Sequence, residues 1–159
     1  MDPASPLQRL DANDLLVSTS RCVETELRQL MRGVTGLYDR ELRRAGLRNS
    51  QFALLSAVLE TGPVCPTNLA SALKLSVSTL SRKLRPLELA GWVEQAVGDD
   101  RRKRLVSVTE AGRRKWQESH EHWVAAQNTL TQTLGRRRIA ALRGMMEDSL
   151  VVLEAATHA

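Results

Sequence analysis

The stretch from Pro66 to Gly112 constrains the fold of this chain more than any other segment. It reads PTNLASALKLSVSTLSRKLRPLELAGWVEQAVGDDRRKRLVSVTEAG. Pro66 suits the first turn of a helix, where its missing N–H costs nothing. Leu69, Ala70 and Leu73 give that helix an inward face. The turn Lys74-Leu75-Ser76 is short, and Ser76 is a good N-cap for a second helix over Val77–Leu89. Val77, Leu80, Leu84 and Leu87 form its anchoring face. Pro86 removes a hydrogen bond and should strain the last turns. Gly91 closes the helix. Trp92 to Val97 alternates as a strand, Gly98-Asp99-Asp100 is turn chemistry, and Leu105, Val106 and Val108 give a second strand. Two helices across a tight turn, followed by a polar hairpin, leave few architectures open.

The flanking segments read as helices. Residues 1–12 carry two prolines and are expected to form a loose arm. From Asp14 to Ala45 there is no proline, and Leu27, Leu30, Met31, Val34, Leu37, Tyr38 and Leu42 recur at helical spacing. Gly46 ends that helix. A second helix fits Ser50–Thr61, stopped by Gly62-Pro63. Thr109 starts a long helix with Trp116, Trp123, Leu130 and Leu134 near one stripe. Gly135 interrupts it, and a last helix follows to about Ala156. The expected fold is mainly α with a small β-hairpin: a winged helix-turn-helix with N- and C-terminal dimerisation helices. The expected division is 1–45 for the arm and first helix, 46–112 for the central unit, and 113–159 for the C-terminal helices.

With 42% hydrophobic residues the chain can bury a core, but it has one Phe, one Tyr and three Trp, so Leu, Val, Ala and Met must build it. Two cysteines do not make a disulfide framework. The N-terminus lacks the apolar run of a signal peptide, and no window reaches the roughly eighteen apolar residues of a membrane span. A cytoplasmic, reducing setting is expected, with no membrane partner. There is no nucleophile elbow, phosphate loop or paired-carboxylate arrangement, so no catalytic residue and no cofactor are assigned. His120 and His122, with Glu118 and Glu121, resemble a metal set only superficially. Residues two apart on a helix do not share a face, and no metal is expected.

The central unit carries the chemistry. Ser76, Ser78, Thr79 and Ser81 open the second helix with small hydroxyls that admit close approach to base edges. Arg82, Lys83 and Arg85 flank them and can meet phosphates or a guanine edge. The bland alternative is a solvated basic helix surface. The hairpin tip weighs against it, because Arg101, Arg102, Lys103 and Arg104 follow Asp99-Asp100. Lys74 to Arg104 holds eight basic and four acidic residues, most of the chain's net charge of +5. Arginines at such a tip can enter a minor groove, where the potential is most negative.

LASALKLSVSTLSRKLRPLELAGWV (Leu69–Val93) and DRRKRLVSVTEAG (Asp100–Gly112), with the preceding GLRNSQFALLSAVLETGPV, resemble the MarR family of bacterial winged-helix regulators. The resemblance implies a homodimeric, sequence-specific DNA-binding repressor. Asp100 would hold Arg102, and Arg102 would reach into the minor groove. Ser78, Thr79, Ser81 and Arg82 would occupy the major groove. The outer helices would pair two subunits through Trp123, Leu130, Leu134, Ile139, Leu142, Met146, Leu150 and Leu153, and the operator would be pseudo-palindromic. An ordinary intrachain helical hairpin competes for some of those residues. Many family members respond to small aromatic acids or phenols near the junction of the first, second and fifth helices. Arg21, Arg28, Arg32, Tyr38 and Arg43 lie in or near that region here. Cys22, beside Arg21, matches the neighbourhood of a peroxide-sensing cysteine in one branch, with Cys65 a second redox candidate. Two positions depart from the family pattern: Arg48 and Cys65 stand where cap residues are usual. A non-specific architectural DNA binder and a winged-helix protein-interaction module remain the alternatives.

Overall fold

Several helix ends fall where the sequence supplies a cap or a glycine. In the computed structural model, which describes residues 22–97 and 104–157, α1 spans Val23–Leu42 and tightens into a 3-10 turn at Arg43–Ala45. Gly46, at φ 70°, then takes the left-handed conformation that ends it. The helices α2 (Asn49–Thr61), α3 (Pro66–Ala72) and α4 (Val77–Leu89) follow. Strands β1 (Val93–Val97) and β2 (Arg104–Val108) form an antiparallel hairpin in the register Val93↔Val108 to Val97↔Arg104. The long helices α5 (Glu110–Leu134) and α6 (Arg136–Thr157) complete the chain. The fold is mainly α with one hairpin, a winged helix-turn-helix flanked by long helices.

The described residues divide into two units between Gly36 and Leu37. The described part of the first is a stretch of α1 with Glu24 paired to Arg28. Its Val23, Leu27, Leu30 and Met31 are exposed along one side of the helix.

The second unit holds the core. Leu54, Leu55 and Val58 of α2 pack with Leu69 and Ala70 of α3, with Leu80, Leu84 and Leu87 of α4, and with Val93, Val106 and Val108 of the hairpin. Aliphatic side chains therefore fill the centre, as the composition requires. Val77 does not join them. It is 45% exposed, and the packed face of α4 begins one turn later at Leu80.

Some boundaries differ from expectation for identifiable reasons. Helix α2 starts at Asn49, because Asp39 Oδ1 accepts the Asn49 N–H at 2.7 Å and Gln51 Oε1 accepts the Arg48 N–H at 2.9 Å. Polar side chains thus do the work of the missing threonine cap. Helix α4 continues through Pro86 to Leu89. A third pairing has no local signature in the sequence: Val64 and Val106 exchange backbone hydrogen bonds of 3.0 and 2.8 Å beside the hairpin.

Candidate nucleic-acid interface

The outer face of α4 is assembled by its own cap. Ser76 Oγ accepts the Thr79 N–H at 3.2 Å and lies 2.9 Å from Thr79 Oγ1 and 3.1 Å from Ser78 Oγ. Arg82 donates to the Thr79 hydroxyl at 3.4 Å. The hydroxyls at the helix start are therefore a linked set, and the half-buried Thr79 positions its neighbours. Leu80, Leu84 and Leu87 are buried, which fixes the rotation of the helix. Ser78, Ser81, Arg82, Lys83 and Arg85 are consequently exposed. Ser78, Arg82 and Arg85 recur at steps of four and three along the side opposite the core.

The turn before α4 is unusual in one respect. Lys74 adopts φ 52°, the chain's one positive φ outside glycine among the described residues. The backbone is held there by Lys74 N–H to Ser71 O at 3.0 Å and Leu75 N–H to Ala70 O at 2.8 Å. The Lys74 ammonium pairs with Glu154 of α6.

The hairpin root is fixed from both sides. Thr109 Oγ1 donates to Gly91 O at 2.6 Å and accepts the Gly112 N–H at 3.0 Å. The Thr109 N–H donates to Trp92 O at 3.0 Å. One threonine thus caps α5 and ties it to the end of α4. Cys65, the residue before α3, lies with its Sγ 3.6 Å from Arg104 O and caps nothing with its side chain. Arg104 is exposed. Asp99, Asp100, Arg101, Arg102 and Lys103 lie outside the described residues.

A second feature joins the stripe positions Trp116 and Trp123 to His120 and to Phe52 of α2. Phe52 stacks between Trp116 and Trp123, at centroid distances of 6.3 and 6.1 Å. The His120 ring sits 4.8 Å from Trp116 and 5.7 Å from Trp123. Trp116 Nε1 donates to Ser56 Oγ at 2.8 Å. With Asn49, Ala53 and Glu60 these side chains line a pocket of about 270 Å³ between α2 and α5. The signal in the sequence was the spacing of Trp116, His120 and Trp123, three and four residues apart.

The remaining expected positions divide by exposure. Trp123, Leu130, Leu134, Ile139 and Leu142 are half-buried, and Met146, Leu150 and Leu153 are exposed. Cys22 is exposed just before α1. Tyr38 is buried, and burial pushes its phenol above the usual range while the Arg143 guanidinium opposes that shift. Among the described residues no His, Cys, Asp or Glu group is arranged to hold a metal ion, and no helix is long and apolar enough to cross a membrane.

Comparison with known proteins meets this geometry. Residues 51–125 match a family described as a winged helix DNA-binding domain. YwoH of Bacillus subtilis (strain 168), an HTH-type transcriptional regulator, is 29% identical over 93 residues, 58% of this chain and 68% of YwoH. A variant of MarR from E. coli in complex with operator DNA superposes with a TM-score of 0.74 at 22% identity, covering 88% of this chain and 99% of that one. The M. tuberculosis transcriptional regulator MosR in complex with DNA gives a TM-score of 0.63 at 29% identity, covering 81% and 98%.

Fold and domain match together define a winged-helix DNA-binding protein. Over residues 51–125 the chain carries that domain, and its fold is that of MarR-type winged-helix regulators.

Proposed function

We propose that this regulator acts as a homodimeric, sequence-specific repressor whose operator is pseudo-palindromic. The observation that carries the reading is the outer face of α4, where Ser78, Ser81, Arg82 and Arg85 stand exposed above a buried Leu80-Leu84-Leu87 anchor. Small hydroxyls and guanidinium groups on one rigid helix suit base-edge readout, whereas a non-specific binder needs only the charge. Asp100 and Arg102 at the hairpin tip are assigned, as in the family pattern, to a held arginine entering the minor groove, with Arg101 and Lys103 on phosphates.

Homodimerisation is supported by unspent apolar surface. Met145, Met146, Leu150, Val151 and Val152 of α6 are each more than half exposed. Exposed apolar side chains gathered on one helix are costly on a monomer. Two-fold pairing would offer two α4 helices to half-sites roughly 34–36 Å apart. Release by a small aromatic or phenolic ligand is supported by the Phe52-Trp116-His120-Trp123 pocket, which adjoins the winged unit. Oxidation of Cys22 is the second route; its exposure is what it has in its favour.

A fluorescence anisotropy titration tests the reading, using a duplex selected from a random pool against an unselected one at equal salt. The selected duplex should bind at least a hundredfold more tightly, and Arg102→Ala should cost about 1–3 kcal/mol on it. Equal affinity for both duplexes would favour the architectural alternative. Absence of salt-dependent binding would favour a docking module. Light scattering showing only monomer at micromolar concentration would remove the dimer.

A further inference from the structure

A groove of about 370 Å³ opens between the start of α2 and the flank of α4, lined by Arg48, Ser50, Gln51, Arg82, Lys83 and Pro86. We propose that it seats a backbone phosphate of bound DNA, which makes Arg48, Ser50 and Gln51 part of the interface; this rests on the DNA-binding reading above.

Three cations converge on this groove and no carboxylate lines it. None of the three forms an ion pair among the described residues. Asp39 of α1, which meets the start of α2, is already engaged by the Asn49 N–H at 2.7 Å and by Arg43 at 3.7 Å. Like charges gathered without a counter-charge repel one another, and an anion between them converts that repulsion into attraction. The polar lining is suited to an oxyanion. Gln51 uses its carbonyl oxygen on the Arg48 N–H, which leaves its amide N–H groups as donors. The Ser50 hydroxyl and the two guanidinium groups add more. Planar guanidinium forks match phosphate oxygens in pairs.

The position of the groove selects the source of the phosphate. Arg82 belongs both to the groove and to the exposed stripe of Ser78 and Arg85, while Lys83 and Pro86 turn the same helix toward α2. An anion held there lies beside the bases that α4 would face, where a flanking phosphodiester runs. Arg48, which fails as a cap, gains a role as the cation that α2 contributes.

The test uses the intact protein and the selected duplex, with affinity measured between 50 and 200 mM salt. Arg48→Ala should weaken selected and random duplexes by the same factor and reduce the slope of log K against log[salt] by about 1. Lys83→Ala should do the same without touching α2. A single neutral methylphosphonate at the flanking phosphate should weaken wild type and leave Arg48→Ala unaffected. Unchanged slopes in both variants, with tight wild-type binding, would overturn the proposal and leave the DNA reading intact. If wild type binds no duplex, both readings fall. Should inorganic phosphate raise the wild-type Tm but not that of Arg48→Ala, with DNA slopes unaltered, the groove belongs to a free phosphate and the proposal is wrong.

Discussion

A Cβ at position 112 would stand 1.9 Å from the carbonyl oxygen of Trp92 and 2.8 Å from both its carbonyl carbon and the Val108 side chain. Gly112 is therefore the contact by which α5 lies against the end of α4, and its requirement is steric, since its backbone conformation is an ordinary helical one. Gly112→Ala should force the first turn of α5 off the Trp92 backbone. The neighbour is main chain and cannot swing away, so the loss should reach or exceed the roughly 1–3 kcal/mol of an overpacked core site. A urea denaturation midpoint equal to wild type would refute this close approach.

Ser76 and Ser78 separate stability from recognition. Ser76 Oγ accepts the Thr79 N–H, whereas Ser78 is exposed and caps nothing. Ser76→Ala should lose about 1 kcal/mol of folding stability. Ser78→Ala should fold with wild-type stability and lose affinity for the selected duplex more than for a random one. Chemical denaturation and anisotropy on the same two variants check both halves. Equal stability losses would mean that the cap is misassigned.

Features written within a few residues were legible before any coordinates. The span Val77–Leu89 for α4, its Ser76 cap, the hairpin between Val93 and Val108, and the helix start at Thr109 all depend on neighbours in sequence. What escaped was long-range. Val64 pairs with Val106 across more than forty residues, and the flanking Pro63 and Pro66 gave the segment the look of a plain loop. Phe52 meets Trp116 and Trp123 only because α2 packs on α5. Arg48 read as a poor cap because the groove it shares with Arg82 and Lys83 exists only after folding. Val77 failed in the opposite sense, since periodicity places it on the inner face but cannot tell where the core stops.

Tyr38 should make stability fall with alkaline pH. Burial holds its phenol above the ordinary value, with Arg143 only partly opposing. In the unfolded chain the same group ionises near 10. Below that pH both states are neutral and the contribution is fully present. As pH climbs past about 10, the unfolded chain loses its proton first and is favoured, and the contribution is gone once the folded phenol has titrated. Denaturation of wild type and Tyr38→Phe at pH 8 and near pH 10.5 should show a steeper decline in wild type. Because the chain has a single tyrosine, tyrosinate absorbance reads the folded pKa directly; titration at or below 10 would contradict the burial argument.

The aromatic pocket supplies its own reporter. Trp116 and Trp123 wall it, while the third tryptophan, Trp92, lies elsewhere with the Lys115 ammonium 5.7 Å from its ring centroid. A planar ligand entering beside Phe52 and His120 would stack on two of the chain's three tryptophans, so their emission should change in a saturable way. A small phenol or aromatic acid should therefore quench fluorescence along a hyperbola and, over the same concentrations, release the selected duplex. Phe52→Leu keeps an apolar side chain in the core but removes the stacking surface, and should weaken the quench and the release by the same factor. Saturable quenching without release would separate the pocket from regulation. Strictly linear quenching, unchanged in Phe52→Leu, would mean that collisions alone are being measured and that the pocket takes no such ligand.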